Sequence, residues 1–236
     1  MMVEHKVVII TGATGRLGRV AAKRFAQHGT RLVLVGTNME KLKQLAAELD
    51  LPNDQILMYA ADLNQPEAAA ALTQRVLDTF GRLDILLHLV GGWSGGKTVV
   101  DVDDQQVETM LQQHLWTTFH LAKACVPVMT ANQWGRILVI SSPTASHPVA
   151  NVAPYAIGKA AQEALILSLA QEVRGNGITA NILLVKTIDV EHVRDQKPDA
   201  KNAGWTSPEE ITATLLHLST DEAGVITGAR IPLYGG

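Results

Sequence analysis

Short runs of apolar residues recur along the chain, and each interval between them holds a longer amphipathic stretch. Seven runs have the length and the β-branched content of strands: KVVIIT, RLVLVG, QILMYA, DILLHLV, GRILVIS, ITANILLV and ARIPLY. Most are apolar throughout instead of alternating with polar residues, which is typical of parallel strands covered on both faces. The pattern therefore predicts a buried parallel sheet of about seven strands.

Helical periodicity fills most of the intervals between these strands. Because strand and helix alternate at this spacing, we expect an α/β fold: a Rossmann-type doubly wound parallel sheet in a single domain over residues 1–236. Ligands of such sheets bind outside the carboxyl ends of the strands. Residues 187–205 match neither period, and their length and polarity predict a lid over a substrate site. The helices are predicted at residues 18–28, 40–49, 66–80, 105–132, 154–174 and 207–218.

The turn after the first predicted strand is rich in glycine. Gly12, Gly15 and Gly18 follow Thr11 in the pattern Thr-Gly-x-x-Gly-x-x-Gly. Glycines here let backbone N–H groups approach a diphosphate, and the following helix N-terminus favours negative charge. A tight turn without a ligand is the alternative. The early strand and the amphipathic helix around the turn favour a dinucleotide-binding loop.

A second set of residues carries candidate chemistry. Tyr155 and Lys159 lie four apart in a predicted helix, so both side chains point to one face. A neighbouring ammonium stabilises a phenolate, which brings proton exchange by the tyrosine closer to neutral pH. Ser142 follows a predicted strand thirteen residues before Tyr155 and could hold the same substrate oxygen. Singly these are ordinary cap, surface and turn residues, but together they favour an active site.

These three residues and the glycine pattern resemble the short-chain dehydrogenase/reductase family over residues 6–236. The resemblance implies hydride transfer between a nicotinamide cofactor and a small or medium carbonyl or alcohol substrate. Tyr155 would be the general acid/base, Lys159 would bind the nicotinamide ribose and tune the tyrosine, and Ser142 would orient the substrate. The cofactor contacts expected from the resemblance are Gly12, Thr14, Gly15, Arg16, Leu17, Gly18, Thr37, Asp62, Leu63, Gly91, Tyr155, Lys159 and Thr187. Asp62 matches the family's adenine-contacting aspartate, and a turn or helix-capping role is the alternative.

The chain also departs from the family pattern. HLVGG at residues 88–92 replaces Asn-Asn-Ala-Gly, which removes amides that support the sheet near the site. His114 stands at the position of the family's catalytic asparagine, either as a catalytic residue with a proton path to Lys159 through water or as a packed helix residue. Val185 and Lys186 replace Pro-Gly beside the cofactor. A binding scaffold or sensor that has lost catalysis is therefore an alternative to an enzyme.

Retention of Ser142, Tyr155 and Lys159 together favours the enzyme, because a pure binder has no need of a phenolic acid. Two segments, VGGWSGGK and residues 187–210, resemble dihydropteridine reductase-like members of the family. Trp93 within the first segment could form a planar wall beside a flat substrate ring, or it could pack the lid.

Cofactor choice depends on the end of the second predicted strand. Gly36, Thr37 and Asn38 occupy the place where NAD-preferring relatives carry an acidic residue, so nothing there repels a 2′-phosphate. Arg16 could pair with that phosphate, although it could also be a solvated charge at the helix start. We therefore expect NADP(H) in preference to NAD(H).

Composition and charge exclude several other classes. The 236-residue chain has a formal charge of −3 with both signs dispersed, so no nucleic-acid partner is expected. The polar start and the lack of an apolar run of about 18 residues predict a cytoplasmic protein without a membrane partner. No histidine or cysteine spacing indicates a metal site, and the single Cys125 lies in an apolar helical pattern as a packing residue. Apolar faces on the helices at 105–132 and 154–174 predict a homodimer or homotetramer, with core packing as the alternative.

Overall fold

One parallel sheet of seven strands organises the computed structural model, which describes residues 3–234. The strand order is β3-β2-β1-β4-β5-β6-β7, so the order reverses between β1 and β4. The predicted doubly wound sheet is confirmed, and every strand lies within two residues of its predicted bounds. The strands are β1 (Val7–Thr11), β2 (Arg31–Gly36), β3 (Ile56–Ala60), β4 (Ile85–His88), β5 (Gly135–Ser141), β6 (Ile178–Leu184) and β7 (Arg230–Pro232).

Most of the strands are largely apolar because they contribute to two cores, one on each face of the sheet. In β1, Val7 and Ile9 pack into the core on one face of the sheet, whereas Val8 and Ile10 pack into the core on the other face. All four side chains are fully buried. A strand with both faces covered has no solvent-facing position for a polar residue, which explains the continuous apolar runs.

Helices cover both faces and follow the predicted order. They are α1 (Arg16–Ala26), α2 (Met39–Ala47), α3 (Pro66–Phe80), α4 (Asp104–Leu111), α5 (Thr117–Ala131), α6 (Ala153–Glu172), α7 (Val193–Gln196) and α8 (Pro208–Leu218). None of the helices within residues 3–234 is both long and apolar enough to cross a membrane.

The prediction of one regular helix over residues 105–132 was wrong at its centre. A π-helical segment, Gln112–Trp116, separates α4 from α5. Such a segment adds one residue to a helical turn and changes the direction of the side chains around it, and it often occurs at functional sites. Here it contains His114.

The segment 187–205 holds more regular structure than its sequence predicted. Ile188 forms a parallel bridge with Thr206, and the short helix α7 follows. The buried carboxylate of Asp189 accepts hydrogen bonds from the backbone N–H groups of Val193 and Arg194, both at 2.9 Å. This carboxylate stabilises the start of a helix too short to show a period in the sequence. We refer to residues 187–205 as the lid segment.

Candidate functional site

Two adjoining cavities open at the carboxyl ends of the strands. The first has a volume of about 330 Å³ and the second about 370 Å³. Leu89, Val90 and Gly91, which follow β4, line both cavities. The two cavities therefore meet at β4, where the strand order reverses, and this is the ligand-binding position of open α/β sheets.

Most of the predicted site residues line one of these cavities. Arg16, Gly18 and Ser142 line neither. The first cavity includes Gly12, Thr14, Gly15, Thr37, Asp62, Leu63 and Gly91. The second includes Leu17, Gly91, His114, Tyr155, Lys159 and Thr187.

The glycine-rich loop depends on the absence of side chains. Gly12 has a φ of +67°, which favours glycine, and a Cβ there would lie 3.1 Å from the backbone of Leu89. A Cβ on Gly18 would lie 2.3 Å from the carbonyl oxygen of Gly12 and 2.7 Å from Cα of Ala13. Gly18 thus lets α1 pack closely against the turn, while Gly12 and Gly15 leave their side of the loop open to the first cavity.

Two other predicted cofactor contacts have partners inside the protein. Asp62 lines the first cavity, and its Oδ1 accepts a hydrogen bond from the backbone N–H of Asn64 at 3.0 Å. The exposed guanidinium of Arg16 forms an ion pair with Glu191 of the lid segment. The turn role of Asp62 is therefore present, and Arg16 connects the glycine-rich loop to the lid segment.

Tyr155 lies in the first turn of α6, half-buried beside the second cavity. Burial raises the pKa of its phenol, and hydrogen bonding with Ser142 acts in the opposite direction. Ser142 is buried directly after β5, and its hydroxyl donates to Oγ1 of Thr144 at 3.1 Å. The ring of His114 packs edge-on against Tyr155 with centroids 5.7 Å apart. The phenol thus lies near the Ser142 hydroxyl, and its ring contacts the imidazole of His114.

Lys159 is buried one helical turn after Tyr155. Its Nζ donates to the carbonyl oxygen of Ile140 at 2.7 Å and to Oε1 of Gln162 at 3.0 Å. Burial lowers the pKa of Lys159 to about 7, opposed by the nearby carboxylate of Glu163. The side chain of Lys159 can therefore change between ammonium and neutral amine near neutral pH.

Gln162 extends these contacts away from the cavity. Its Nε2 donates to Oγ1 of Thr118 at 3.0 Å, and that hydroxyl donates to the carbonyl oxygen of His114 at 2.5 Å. Gln162 is fully buried. A continuous chain of hydrogen bonds thus joins Lys159 to the backbone of the π-helical segment. Gln162 was not predicted from the sequence. Its spacing of three residues from Lys159, which places both side chains on one helix face, could have indicated the contact.

Glu163 is a second buried polar residue that the sequence analysis missed. Its Oε1 accepts from the hydroxyl of Ser141 at 2.6 Å, and its Oε2 pairs with Nε of Arg230 at 2.8 Å. These contacts keep a charged carboxylate next to Lys159. An acidic residue four positions after Lys159 on a largely apolar helix was the available signal.

The side chain of His114 is fully buried and lines the second cavity. Its Nε2 lies 3.1 Å from the carbonyl oxygen of Gly92, so Nε2 carries the proton because a carbonyl only accepts. Burial, with a smaller contribution from Lys159, lowers the pKa of His114 to about 3. The imidazole is therefore neutral, and Nδ1 is a buried acceptor with no partner within residues 3–234.

His88 is the first residue of HLVGG, the segment that lacks the amides of the family pattern, and it forms hydrogen bonds of its own near the site. The hydroxyl of Thr117 donates to the carbonyl oxygen of Gln113 at 2.6 Å, so it accepts from Nε2 of His88 at 3.2 Å. Nδ1 of His88 then accepts from the hydroxyl of Thr11 at 2.8 Å. Burial, with a smaller contribution from Lys159, lowers the pKa of His88 to about 3. This neutral imidazole joins β1 and β4 to Thr117 at the start of α5, and the Thr117 hydroxyl continues the contact to Gln113 of the π-helical segment.

Two other residue classes are not part of this arrangement. Cys125 is fully buried, and burial raises its pKa to about 12, so its thiol is a packing group. Across residues 3–234, no cluster of three or more His, Cys, Asp or Glu side chains has the geometry to hold a metal ion.

The two cavities suit an extended dinucleotide. The first lies at the N-terminus of α1, beside a loop in which Cβ atoms on Gly12, Gly15 or Gly18 would meet neighbouring backbone. The second contains the unpartnered acceptor of His114, which could take a hydrogen bond from a hydroxyl of a bound molecule. Together they place the glycine-rich turn next to a chamber lined by Tyr155 and Lys159.

Comparisons with known proteins find matches over most of the chain. A family model described as short chain dehydrogenase matches residues 6–201. A curated relative, 1,6-dihydroxycyclohexa-2,4-diene-1-carboxylate dehydrogenase of Pseudomonas putida, is 30% identical over 253 residues, with 99% of this chain and 93% of the relative covered.

Solved structures of similar proteins superpose over nearly the whole chain. A short chain dehydrogenase from Bacillus anthracis gives a TM-score of 0.88 at 27% identity, covering 98% of this chain and 95% of that one. An NAD+-bound xylitol dehydrogenase gives a TM-score of 0.89 at 24% identity, covering 99% of both chains. The second likeness supports the fold alone.

Proposed function

The chain belongs to the short chain dehydrogenase family, and from that premise we propose that it is an NADP(H)-dependent oxidoreductase interconverting a small or medium carbonyl compound and its alcohol. Membership makes it an NAD(P)-dependent dehydrogenase or reductase. The preference for NADP(H), the role of Tyr155 and the substrate class are our proposal. The observation that carries it is that Tyr155 and a buried lysine with a pKa of about 7, Lys159, line the same cavity.

Tyr155 and Lys159, which line the second cavity, and Ser142, which lies beside it, have distinct roles in this proposal. A bound nicotinamide dinucleotide supplies the hydride in the reductive direction. Tyr155 donates its phenolic proton to the substrate oxygen, and it takes a proton back when an alcohol is oxidised. Ser142 holds that oxygen by a hydrogen bond, and charged Lys159 stabilises the phenolate that Tyr155 becomes.

His114 acts in this proposal as a neutral hydrogen-bond acceptor. Its pKa of about 3 means that it carries no positive charge at neutral pH. Nδ1 could accept a hydrogen bond from a cofactor hydroxyl or from a water that leads to Lys159. Proton transfer along this path would pass through that hydroxyl or water, with the imidazole as an acceptor only.

The preference for NADP(H) is supported by the residues after β2. Gly36 and Thr37 line the first cavity without a carboxylate, and the side chain of Asn38 accepts from the backbone N–H of Lys41 at the start of α2. A phosphate near this helix N-terminus meets a favourable dipole, and the one carboxylate in the first turn of α2, that of Glu40, is paired with Lys43 at 2.8 Å. For Arg16 to bind that phosphate, its guanidinium would have to exchange Glu191 for the ligand.

The relatives do not define the substrate, because one is named for a ring carboxylate and another for xylitol. We propose a cytoplasmic homodimer or homotetramer that acts on a small molecule and has no nucleic-acid or membrane partner. The dihydropteridine reductase-like segments keep quinonoid dihydropterins among the carbonyl-like substrates to be screened.

Substitution of Tyr155 by Phe tests the proposal. The phenol supplies the reacting proton and a phenylalanine keeps the ring, so we expect turnover to fall by about 10²- to 10⁴-fold. NADPH affinity should change little. The measurement is NADPH oxidation at 340 nm over a panel of aldehydes, ketones and quinonoid dihydropterins, beside an NADPH binding titration. A Phe variant that keeps full turnover would refute the role of Tyr155.

A further inference from the structure

We propose that the substrate carries a carboxylate and that Lys186 binds it, an inference that rests on the dehydrogenase function proposed above. Lys186 follows β6 directly and lines the second cavity together with Tyr155. It occupies a position where the family resemblance led us to expect glycine. A four-carbon stem with an ammonium group therefore enters the substrate side of the site.

The ammonium of Lys186 has a defined place. Its Nζ lies 5.0 Å from the ring centroid of Tyr234, which follows β7. It also lies beside Gly204 at the end of the lid segment, where a Cβ would be only 3.1 Å from Nζ. A cation over an aromatic face keeps its N–H donors available, because the ring provides no lone-pair acceptor. The contact with Tyr234 thus holds the ammonium of Lys186 in place while its N–H groups stay available to a ligand.

The charge of Lys186 is also uncompensated within residues 3–234. No carboxylate in that part of the chain forms an ion pair with it, whereas the lid cation Arg194 pairs with Glu210 at 2.8 Å. None of the described residues lining the second cavity is Asp or Glu, and Lys159 adds a second basic group. The cavity therefore favours an anion.

The other walls indicate what kind of anion would bind. Leu89, Val185 and Ile188 are apolar, and the indole of Trp93 lines the same cavity. Apolar walls bind the body of an organic molecule, while one charged group fixes its orientation. An organic acid matches this combination better than a small inorganic ion.

The diphosphate of the cofactor is the other anion to consider. The glycine-rich loop follows β1, whereas Lys186 follows β6, and β4 and β5 lie between those strands. Neighbouring strands are about 4.8 Å apart, so roughly 14 Å of sheet separates the two strand ends. The contact with Tyr234 draws Nζ further toward β7. A substrate group beside Tyr155 is therefore closer to this ammonium than the phosphates of the loop.

A matched series of substrates tests the inference. 2-Oxo-2-phenylacetate, 3-formylbenzoate and 4-formylbenzoate place the carbonyl and the carboxylate at increasing separations, and each is compared with its methyl ester. With NADPH, at least one acid should exceed its ester in kcat/KM by about tenfold or more, since a hydrogen-bonded charge contributes that much. The preference should reside mainly in KM.

Three variants decide whether Lys186 is responsible. Lys186→Gln should bring the acid-to-ester ratio toward one, and Lys186→Arg should keep most of it. Lys201→Gln removes an exposed lid lysine that does not line the cavity, so the ratio should stay at its wild-type value. Equal use of acids and esters by the wild type would overturn the inference. So would a Lys186→Gln variant that loses NADPH affinity and keeps the acid preference.

A binding measurement separates this inference from the proposed function. Benzoate and benzamide differ in charge at similar size, and calorimetry with the NADP+-loaded protein compares them without any turnover. We expect benzoate to bind more tightly and Lys186→Gln to remove the difference. If this holds while no carbonyl is reduced, the carboxylate site stands and the dehydrogenase proposal fails. If benzamide binds as well as benzoate, the carboxylate site is refuted whether or not carbonyls are reduced.

Discussion

At Lys159, burial and hydrogen bonding act on one ammonium. Its pKa of about 7 means that it is charged below pH 7 and neutral above it. Two N–H groups of Lys159 are bonded to Ile140 and Gln162, and only the charged form has a third for the nicotinamide ribose, so NADPH affinity should fall as pH rises through about 7. Gln162 fixes the position of the ammonium without adding charge. The hydrogen bond between Gln162 and Lys159 can therefore be tested through the pH dependence of NADPH affinity.

Substitution of Gln162 by Glu should move that pH dependence. A carboxylate about 3 Å from Nζ favours the charged lysine and raises its pKa by about 1–3 units. The fall in NADPH affinity should then occur at correspondingly higher pH. The neutral variant Gln162→Met controls for the lost amide and should show no upward shift. The measurement is NADPH affinity by fluorescence between pH 6 and 9, with thermal unfolding of each variant beside it.

A purely structural role for Gln162 would give a different result. Both variants would then lose thermal stability, and the pH at which NADPH affinity falls would be unchanged in Gln162→Glu. That outcome would contradict the account of Lys159.

The site role of an individual residue was predictable from sequence only where the residue belonged to a recognisable local pattern. Tyr155, Lys159 and Ser142 belong to a short motif, and the structure brings Tyr155 and Lys159 into one cavity with Ser142 next to the phenol. Arg230 of β7 and Glu163 of α6 are far apart in sequence, and they pair because β7 lies at the edge of the sheet beside β6. Contacts of that kind depend on the folded topology, so no spacing in the sequence revealed them.

At the scale of elements, the turn between β1 and α1 determines how closely a ligand can approach the sheet. The helix α1 packs so tightly on this turn that Gly18 has no room for a side chain. The turn therefore depends on glycine both for packing and for its open surface. Adding a single methyl group at Gly18 tests whether the packing of α1 on the turn depends on glycine.

Substitution of Gly18 by Ala should disrupt this packing. The new Cβ would lie 2.3 Å from the carbonyl oxygen of Gly12, so backbone must move. We expect a loss of about 1–3 kcal/mol in the free energy of unfolding, as for other overpacked positions, together with weaker NADPH binding. Gly36→Ala is the matched control, because its Cβ would be 3.4 Å from the nearest atom. Chemical denaturation that shows equal stability for the two variants would contradict the packing argument.

The strands were more predictable than the helices for a physical reason. Continuous apolar runs follow from burial on both faces, and each run is local in sequence. The π-helical segment has no such signature, because the helical pattern continues through residues 105–132 on both sides of it. The hydrogen bonds from Thr117 to Gln113 and from His88 to Thr117 join this segment to the sheet. They became visible only in the structure.

At the scale of the whole molecule, one apolar surface is left exposed on α5 and the segment before it. Trp116 and Phe119 are exposed and pack edge-on with centroids 5.9 Å apart, and His120 stacks on Trp116. A cluster of exposed aromatic rings is typical of protein interfaces. It supports the proposed homodimer or homotetramer.

Replacement of both Trp116 and Phe119 by Lys should weaken that assembly. Two charges would be buried without partners between subunits, so the mass measured by light scattering at micromolar concentration should fall toward 25.4 kDa. Met39→Lys places a charge on an exposed apolar residue of α2 and should leave the mass unchanged. A wild-type protein that is already a monomer would contradict the proposed oligomer.

The central claim is that the two adjoining cavities hold NADP(H) next to Tyr155. Its most direct test is a fluorescence titration of the purified protein with NADPH and with NADH under identical conditions. We predict saturable binding of both nucleotides, with NADPH at least tenfold tighter because no carboxylate at residues 36–38 opposes the 2′-phosphate. Tighter binding of NADH would contradict the proposed cofactor preference, and failure of both nucleotides to bind would contradict the proposed function as a whole.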